Sequence, residues 1–335
     1  MNTPLVSVLL PVRDEAAYLS ESLASLSGQS FEDFEVVIVD DGSSDGSQEI
    51  AAEHALSDRR FRVLRQARRG IVAALERSRA AGRGRYLARM DGDDVALPRR
   101  LELQVEALES DRLDACGGGI EYFPRDVVRD GARRYERWIN GLVTVEAARR
   151  DVFVECPLPH PTIVARRSVL DALGGYRSCD WPEDYDLVLR LWARGARFLN
   201  VGNVVLRWRE HGERASRTDE LYALEAFVRC KVHHLRTTLL GSRDSAIVWG
   251  AGPVGKAFAR ELVRQGTPVG AFVDVDPRKI GRRIAGAPVV AVEDAPRFAD
   301  ALALGAVSGA EGRKRVREMA AAQGRRDGVD FVAVA

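Results

Sequence analysis

Apolar residues along positions 5–40 are arranged as a strand, a helix and a second strand. The runs LVSVLL (5–10) and FEVVIVD (34–40) are short, rich in branched side chains and apolar on both faces, which predicts two buried strands. Between these runs, Leu19, Leu23 and Leu26 recur at helical spacing and predict a helix over 15–26. Buried strands joined by a helix indicate a parallel βαβ unit with helices on both faces of the sheet.

The same alternation continues toward residue 240. We predict strands at 61–66 and 84–91, a helix at 71–81, and a further helix that opens at Pro98, a position that proline tolerates well. Farther along, we predict a strand and a short helix within 158–177, a helix at 181–195 and a helical segment at 213–240. The whole pattern favours an α/β fold with a mostly parallel central sheet.

A second βαβ pattern begins after residue 243. The segment SAIVWGAGPVGKAFARELVRQG (245–266) predicts a strand, a glycine-rich turn and a helix, and the runs VGAFVDVD, GAVSG and DFVAVA predict further strands. We therefore expect three parts: a first α/β domain at 1–212, a helical linker at 213–243 and a small α/β domain at 244–335.

Acidic side chains cluster where two of the predicted strands end. Asp91, Asp93 and Asp94 follow the strand at 84–91, and Asp40 and Asp41 follow the strand at 34–40. Because open α/β sheets bind ligands at the carboxyl ends of their strands, both turns should face one crevice. One or two carboxylates together with substrate phosphates typically hold Mg²⁺ or Mn²⁺. The alternative is a pair of solvated turns that are acidic for conformational reasons alone.

Composition narrows the class of protein. Of the 335 residues 46% are hydrophobic and the net charge is +1, so the chain is globular and has no general case for binding nucleic acid. The four cysteines lack zinc-type spacing and are expected to be reduced thiols. The N-terminus has no basic start, and no apolar run approaches the roughly 18 residues of a membrane span. We therefore expect a cytoplasmic protein.

Two long segments carry several separated motifs in a recognisable order. They are VSVLLPVRDEAAYLSESLASLSGQSFEDFEVVIVDDGSSDGS and RYLARMDGDDVALPRRLELQVEAL. Together they resemble the family-2 glycosyltransferases of the GT-A fold, and the resemblance covers about residues 4–212. It implies an inverting enzyme that uses a nucleotide-diphosphate sugar and a divalent metal, Mg²⁺ or Mn²⁺.

The resemblance also implies roles for individual residues. Asp93 would be the main protein ligand of the metal, and His211 would lie near the metal or the diphosphate. His160 and Glu183 would belong to the acceptor site. Family members often have asparagine near Gly70, where this chain has Arg68 and Arg69, which either contact the diphosphate or are solvated. The residues that would line the nucleotide-sugar pocket are Pro11, Arg13, Glu15, Asp40, Gly70 and Asp91.

An inverting transfer also needs a general base for the acceptor hydroxyl. The resemblance assigns this role to Asp184 in the segment PEDYD. Asp184 shares a predicted helix face with Leu187 and Leu191, so we expect it to point inward, and a buried carboxylate needs a partner or a function. We expect Glu183 and Asp186 to point elsewhere. A capping or structural acid is the alternative interpretation of Asp184.

The glycine-rich turn near the C-terminus has the pattern of a dinucleotide-binding loop. Gly250, Gly252 and Gly255 follow a predicted strand and open a predicted helix, and Asp274 lies at the end of the next strand. The segment resembles the Rossmann-like domains of NAD-dependent enzymes and of some sugar-modifying proteins. It is short for a dehydrogenase domain, so we favour a module that binds another nucleotide, or none, over one that binds NAD.

Two functions follow from these patterns. The favoured one is transfer of a sugar, UDP-linked by resemblance, to a hydroxyl of a glycan or lipid-linked acceptor in surface polysaccharide biosynthesis. The alternative is an NAD-linked oxidoreductase that acts on a nucleotide sugar. Arginine-rich patches at 59–69 and 125–137 either contact anionic lipid at the inner face of the cell membrane or are solvated faces.

Overall fold

The computed structural model describes residues 3–212, 214, 219–241 and 243–335. The chain forms two compact units. The first consists of Met1–Arg149, Pro157–Cys179 and Arg190–Arg214, and the second of Arg150–Cys156, Asp180–Leu189 and Ala215–Ala335. The second unit thus combines the C-terminal segment with two short stretches from the middle of the chain. The division into 1–212, 213–243 and 244–335 stays a prediction.

The first unit is built on an eight-stranded sheet with the strand order β3-β2-β1-β4-β7-β6-β8-β5. Strands β1 to β4 pair in parallel, as do β6 and β8, whereas β5 and β7 run antiparallel to their neighbours. The predicted α/β class with a mostly parallel sheet is confirmed. The bounds are β1 Val6–Val12, β2 Phe34–Asp40, β3 Phe61–Arg65, β4 Tyr86–Arg89, β5 Val95–Ala96, β6 Ala115–Phe123, β7 Val164–Arg166 and β8 Phe198–Arg209.

Helices pack on this sheet at the periodicity that the sequence predicts. Val8 and Leu10 of β1 and Leu19 and Leu23 of the first helix belong to one buried core. Burying such an aliphatic side chain contributes roughly 1.5–3 kcal/mol, which makes this packing the main support of the fold. The helices of this unit are α1 Ala16–Ser27, α2 Ser47–Ser57, α3 Ile71–Ala81, α4 Arg100–Ser110, α5 Asp130–Ile139, α6 Val145–Arg150 and α7 Arg167–Leu173. Arg150, the last residue of α6, is assigned to the second unit, as are residues 183–189 of helix α8 Glu183–Ala193, whose residues 190–193 are assigned to the first.

Strand β6 was not predicted because three consecutive glycines interrupt its apolar pattern. The structure shows why glycine stands there. A Cβ atom on Gly117 would lie 2.2 Å from Oδ1 of Asn200, and one on Gly118 would lie 2.2 Å from Cγ2 of Val205. Strand β8 pairs in parallel with β6 and its side chains fill the space beside these glycines, so packing between distant segments decides this strand.

The second unit contains a six-stranded sheet with the order β11-β12-β10-β9-β13-β14. All of its described strand pairs are parallel except β11 with β12. The strands are β9 Ala246–Trp249, β10 Val269–Val273, β11 Arg283–Ile284, β12 Ala287–Val290, β13 Leu302–Gly305 and β14 Phe331–Ala333. The helices are α9 Leu224–Leu235, α10 Pro253–Arg264 and α11 Ala310–Ala322.

Two sequence predictions about the second unit are wrong in detail. The segment 213–240 is not one helix, since a short 3-10 turn at Glu220–Tyr222 precedes α9 and a π-helical turn at Arg236–Leu240 follows it. Residues 213 and 215–218 lie outside the described residues. The run GAVSG (305–309) is mostly the loop after β13, because the strand itself is the preceding run Leu302–Gly305.

Within the described part of the chain, no helix has both the length and the hydropathy that crossing a membrane requires.

Candidate active site

Three carboxylates meet directly after strand β4. Asp91, Asp93 and Asp94 each offer one carboxylate oxygen, and these oxygen atoms lie within 4.8 Å of one another. The turn that holds them begins where β4 ends at Arg89 and precedes the two-residue strand β5. The expected cluster at this sheet edge is therefore present, and its compactness argues against three acids spread into solvent.

Two members of this cluster, Asp91 and Asp94, resist ionisation. Burial raises the pKa of the Asp94 carboxyl well above its usual value, and the charges of Asp93 and Asp91 raise it further. Burial also raises the pKa of Asp91, against the opposing effect of the neighbouring Arg89 guanidinium. Arg89 is itself buried and forms an ion pair with Asp91. The charge of Arg214 also acts to lower the pKa of Asp91 and Asp94, but burial and the mutual repulsion of the acids outweigh the arginines. A bound cation would relieve this repulsion.

Glu15, which the resemblance places in the nucleotide pocket, extends this acidic cluster. Its Oε2 atom is buried and has no hydrogen-bond partner among the described residues. A Cβ atom on Gly92 would lie 1.9 Å from this oxygen, so the glycine makes room for the carboxylate. Burial, followed by the charges of Asp93 and Asp91, raises the pKa of Glu15 well above its usual value. The turn between β1 and α1 thus adds a fourth acid.

Strand β8 supplies two residues that hold the acidic turn in place. Nε2 of His211 lies 2.8 Å from Oδ2 of Asp93. Its predicted place near a metal or diphosphate stays a prediction. Arg209 donates its backbone N–H to Oδ1 of Asp94 at 2.8 Å and its Nε–H to the carbonyl oxygen of Asp93 at 2.6 Å. Sequence reasoning missed Arg209. The available signal was its position two residues before His211.

These residues fit a divalent cation of the hard, oxygen-preferring kind. The donor set is made of carboxylates, which are the ligands that Mg²⁺ and Mn²⁺ favour. Oδ2 of Asp94 and Oε2 of Glu15 are buried, and neither has a hydrogen-bond partner in the described chain. Buried charged oxygens without partners are costly unless a counter-ion satisfies them. Asp91 and Asp93 are the partly exposed members and hence the ones that a solvent-borne ion reaches first.

The second acidic turn lies at the same sheet edge, since β2 and β4 flank β1 in parallel. Asp40 is buried at the end of β2 and accepts a hydrogen bond from the backbone of Ser43 at 3.1 Å. Its neighbour Asp41 accepts from the backbone N–H groups of Arg69 and Gly70, both at 2.8 Å. Gly70 adopts φ 89°, the left-handed region that glycine tolerates best. Asp41 thereby fixes the loop that opens α3, a role that sequence reasoning did not assign.

The remaining residues of the predicted nucleotide pocket lie on β1 and just after it. The pairing of β1 with β4 ends at Leu9, which lies opposite Arg89. Pro11 is two residues farther along β1 and is buried. Arg13 is partly exposed and pairs with Asp14 at 3.3 Å. Arg68 and Arg69 are exposed, so the structure leaves both of their predicted interpretations open.

His160, the predicted acceptor residue, is a buried neutral imidazole. Its Nε2 atom lies 3.4 Å from the hydroxyl of Tyr176. Burial lowers the pKa of His160 well below its usual value, and the charge of Arg89 adds to this effect. At neutral pH the ring therefore offers one hydrogen-bond donor and one acceptor rather than a positive charge.

Helix α8 carries three acids in its first turn, and the predicted distinction between them is wrong. Asp184 is half-buried and accepts from the backbone N–H of Tyr185 at 2.7 Å. Glu183 and Asp186 are both 3% exposed, so they are more deeply buried than Asp184. Glu183 accepts from the Tyr222 hydroxyl at 3.1 Å. The two acids expected to point away from the core are thus the buried ones, so the one-sided hydrophobic pattern misjudged this turn.

The glycine loop of the second unit has the geometry that its sequence predicts. Gly250 adopts φ 104°, and a Cβ atom on Gly255 would lie 1.9 Å from the carbonyl oxygen of Gly250. Gly252 is the N-cap residue of α10. Asp274 follows β10 and accepts from the backbone N–H of Ala251 at 2.8 Å. The four residues are therefore brought together at one end of the second sheet.

Solved structures share the fold of this chain. TarS of S. aureus (residues 1–349), solved in complex with UDP-GlcNAc, has a TM-score of 0.58 at 16% identity over 78% of this chain and 72% of that one. The mannosyltransferase PcManGT of Pyrobaculum calidifontis, solved with GDP-Man and Mn²⁺, has a TM-score of 0.50 at 19% identity over 79% and 71%. These likenesses show that the chain has the α/β fold of the GT-A type.

Sequence comparison identifies the family. Residues 7–174 match Glycosyl transferase family 2. EpsE of Bacillus subtilis (strain 168) is 32% identical over 228 residues, which span 66% of this chain and 79% of EpsE. The O-antigen biosynthesis glycosyltransferase WbnJ of Escherichia coli is 27% identical over 242 residues, 70% of this chain and 89% of WbnJ. The chain belongs to glycosyl transferase family 2.

Proposed function

We propose that this protein is a metal-dependent, inverting glycosyltransferase. In this proposal it transfers a sugar from a nucleotide-diphosphate sugar, UDP-linked, to a hydroxyl of a glycan or lipid-linked acceptor in surface polysaccharide biosynthesis. The observation that carries the proposal is the group of three carboxylates, Asp91, Asp93 and Asp94, within 4.8 Å of one another. Family membership, the UDP-GlcNAc bound to TarS, the GDP-Man and Mn²⁺ bound to PcManGT and the O-antigen role of WbnJ support it.

Asp91 and Asp93 would hold the metal ion, which when bound neutralises the charge that develops on the diphosphate leaving group. His211 keeps the carboxylate of Asp93 oriented through its hydrogen bond, and Arg209 fixes the backbone of the acidic turn. A cation bound beside Glu15 would favour the ionised form of its carboxyl, which burial and the neighbouring acids otherwise disfavour.

On the acceptor side, Asp184 would remove the proton of the attacking hydroxyl. Asp184 is half-buried at the start of α8, whereas Glu183 and Asp186 are deeply buried, so Asp184 is the most solvent-accessible of the three carboxylates. His160, as a neutral imidazole, would orient an acceptor hydroxyl by a hydrogen bond. Attack on the face of the sugar opposite the leaving group then inverts the anomeric configuration in a single displacement.

Release of the nucleotide diphosphate tests this proposal. The purified chain is incubated with a panel of UDP- and GDP-sugars and glycan acceptors, with Mn²⁺ or with EDTA, and the free nucleotide is measured. We expect UDP to be released from a UDP-sugar only when the metal is present. We expect Asp93→Ala to reduce this release by about 100-fold or more. Asp111→Ala, which changes an exposed aspartate at the end of α4, is the matched control. Metal-independent release, or full activity of Asp93→Ala, would refute the metal-dependent mechanism.

A lipid-linked acceptor would bring the protein to a membrane surface. Arg129, Arg134 and Arg137, on and just before α5, are exposed and supply positive charge. We expect co-sedimentation with vesicles of phosphatidylglycerol but not of phosphatidylcholine, weakening with salt because such attraction is screened. Equal behaviour toward both vesicles would contradict a role of these arginines at the membrane.

A further inference from the structure

We propose that the second unit has its own binding site for a nucleoside diphosphate, at the carboxyl ends of β9, β10 and β13. This site is separate from the acidic cluster of the first unit and does not depend on a divalent metal. The proposal goes beyond glycosyl transfer and is independent of it. It rests on the strand order, on the glycine loop and on a cavity with an unsatisfied indole nitrogen.

The strand order places a crevice where this ligand would bind. From β9 the chain proceeds to β10 and β12 on one side of β9, and it then returns to β13 and β14 on the other side. Such a reversal separates the loops after the two strands that flank it, and open parallel sheets bind their ligands in the resulting crevice. In the second unit the loop after β9, residues 250–252, and the loop after β13, residues 306–309, border this position.

The loop after β9 is shaped for a phosphate. Gly255 packs so tightly against the carbonyl of Gly250 that no side chain fits between helix and loop. A Cβ atom on Gly252, by contrast, would meet no atom within 4 Å, so the space in front of the helix is open. Helix α10 has 12 residues and points its N-terminus at this space. The unpaired N–H groups and the dipole of a helix N-terminus attract anions.

A cavity of about 350 Å³ adjoins this loop. Its walls are mainly apolar and include Val254, Val292, Val307 and Met319. Trp249 also lines the cavity, is only 1% exposed, and its Nε1 atom has no hydrogen-bond acceptor among the described residues. A buried N–H group without an acceptor is costly, so it is a reason to expect a ligand that provides one. The carbonyl oxygens and ring nitrogens of a nucleobase are such acceptors.

Asp274 supplies a contact for a ribose. Its Oδ2 atom accepts from Ala251 N–H and from Nζ of Lys279 at 2.9 Å, and its Oδ1 atom accepts from the backbone N–H of Asp276. Burial acts to raise the pKa of Asp274, but these donors outweigh it and lower the pKa below the usual value. An ionised carboxylate has about four lone-pair positions, so one of them remains for a ribose hydroxyl.

The dimensions favour a mononucleotide over NAD. A volume of about 350 Å³ lies at the small end of the roughly 300–1,000 Å³ that ligand pockets span. The site offers three positions for the parts of one nucleotide. The base would lie against the apolar wall, the ribose at Asp274 and the terminal diphosphate at Gly252.

Calorimetric titration of the full chain with ADP, UDP and NAD tests the proposal. The protein carries Asp93→Ala and the buffer contains EDTA, so that binding at the acidic cluster is suppressed and cannot be mistaken for the second site. We expect one ADP or UDP to bind per chain, and NAD to bind more weakly. Because this readout involves neither sugar transfer nor metal, its failure is distinct from failure of the glycosyltransferase proposal.

Substitutions at the loop identify where the nucleotide binds. Gly252→Asp places a carboxylate where the phosphate would lie, and Asp is a favoured N-cap residue, so the variant should fold with an unchanged or higher Tm. We expect it to weaken binding by at least about tenfold, and Gly252→Ser, a neutral N-cap, to weaken it much less. Trp249→Phe should weaken binding several-fold. Tighter binding of NAD, no binding of any probe, or unchanged binding to Gly252→Asp would overturn the proposal.

Discussion

Nε2 of His211 lies 2.8 Å from Oδ2 of Asp93, and the two residues are 118 positions apart in the chain. His211 follows strand β8 and Asp93 follows strand β4, so this contact joins two halves of the first unit. The other ring nitrogen of His211, Nδ1, is buried and has no hydrogen-bond partner in the described chain. The imidazole is thus committed to orienting the carboxylate that we propose as the main metal ligand.

Removing this contact should weaken metal binding without abolishing the fold. We expect His211→Ala to raise the Mn²⁺ concentration that gives half-maximal nucleotide release by about 10- to 100-fold, the usual effect of losing a group that orients a metal ligand. His211→Gln retains an N–H donor toward Asp93 and should recover part of the affinity. An unchanged Mn²⁺ dependence in His211→Ala would contradict the role of His211 in orienting Asp93 for the metal.

Repulsion within the acidic cluster predicts that a divalent ion stabilises the protein. We expect saturating Mn²⁺ to raise the Tm of the first unit by several degrees, since a ligand at 100 times its Kd contributes about 2.7 kcal/mol. EDTA should reverse this rise in Tm, and Mg²⁺ in place of Mn²⁺ should reproduce it in part. Differential scanning calorimetry measures both effects, and the Asp93→Ala variant provides the comparison in which no shift is expected.

The fourth acid, Glu15, provides a second stability test. Glu15→Gln removes a negative charge that burial and its neighbours disfavour, so the metal-free variant should have a higher Tm than the metal-free parent. The same change should reduce the Tm gain on adding Mn²⁺, because the cation loses one nearby charge. A variant that is less stable than the parent in EDTA would show that Glu15 is satisfied by other means.

Asp184 and Asp186 lie in the same helical turn and should respond differently to the same substitution. Asp184→Asn should lower glycosyl transfer by roughly 100- to 10,000-fold, the usual contribution of a general base, while calorimetric donor affinity stays within about twofold. Asp186 accepts from Trp181 at 3.2 Å and lies 2.9 Å from Nε2 of His234. Asp186→Asn should therefore lower the Tm and leave most of the transfer rate. The reverse pattern would reassign the base.

The turn before β3 predicts a dependence of stability on pH. Hydrogen bonds from Arg60 lower the pKa of Asp58 from 3.8 to about 2, and Ser27 adds a further bond at 3.2 Å. Because the folded pKa is depressed, this stabilisation is complete above the unfolded pKa near 4 and is lost as the pH falls toward 2. Urea denaturation should show Asp58→Asn less stable than the parent by roughly 1–2 kcal/mol at pH 6, with the gap closing toward pH 2. A gap independent of pH would contradict the ion pair.

Local patterns predicted a large part of the fold. Strand β2 and helix α3 have the predicted bounds, and β1, β3, α1 and α8 begin and end within a few residues of them. The acidic turns after β2 and β4 were recognised because each follows a run of apolar residues at which a buried strand must end. The glycine loop before α10 was recognised for the same reason.

Other features depend on segments that are far apart in the sequence. Strand β6 contains Gly117, Gly118 and Gly119 and has no recognisable periodicity, because β8 packs directly against it. Arg209 reaches the acidic turn only because β8 pairs with β5 and β6. Asp41, rather than Asp40, holds the loop before α3, which follows from the path of that loop and not from composition.

The sequence alone determined the class of fold and the sheet edge that carries the acids, because hydrophobic periodicity and turn residues act over a few neighbouring positions. The family followed from the resemblance of several separated motifs. Only the tertiary structure decided that Glu15 joins Asp91, Asp93 and Asp94, and that His211 orients one of them. The tertiary structure also decided that Glu183 and Asp186 of α8 are buried. Such contacts are set by how strands and helices pack, and packing depends on the shapes of surfaces that come together only when the whole chain has folded.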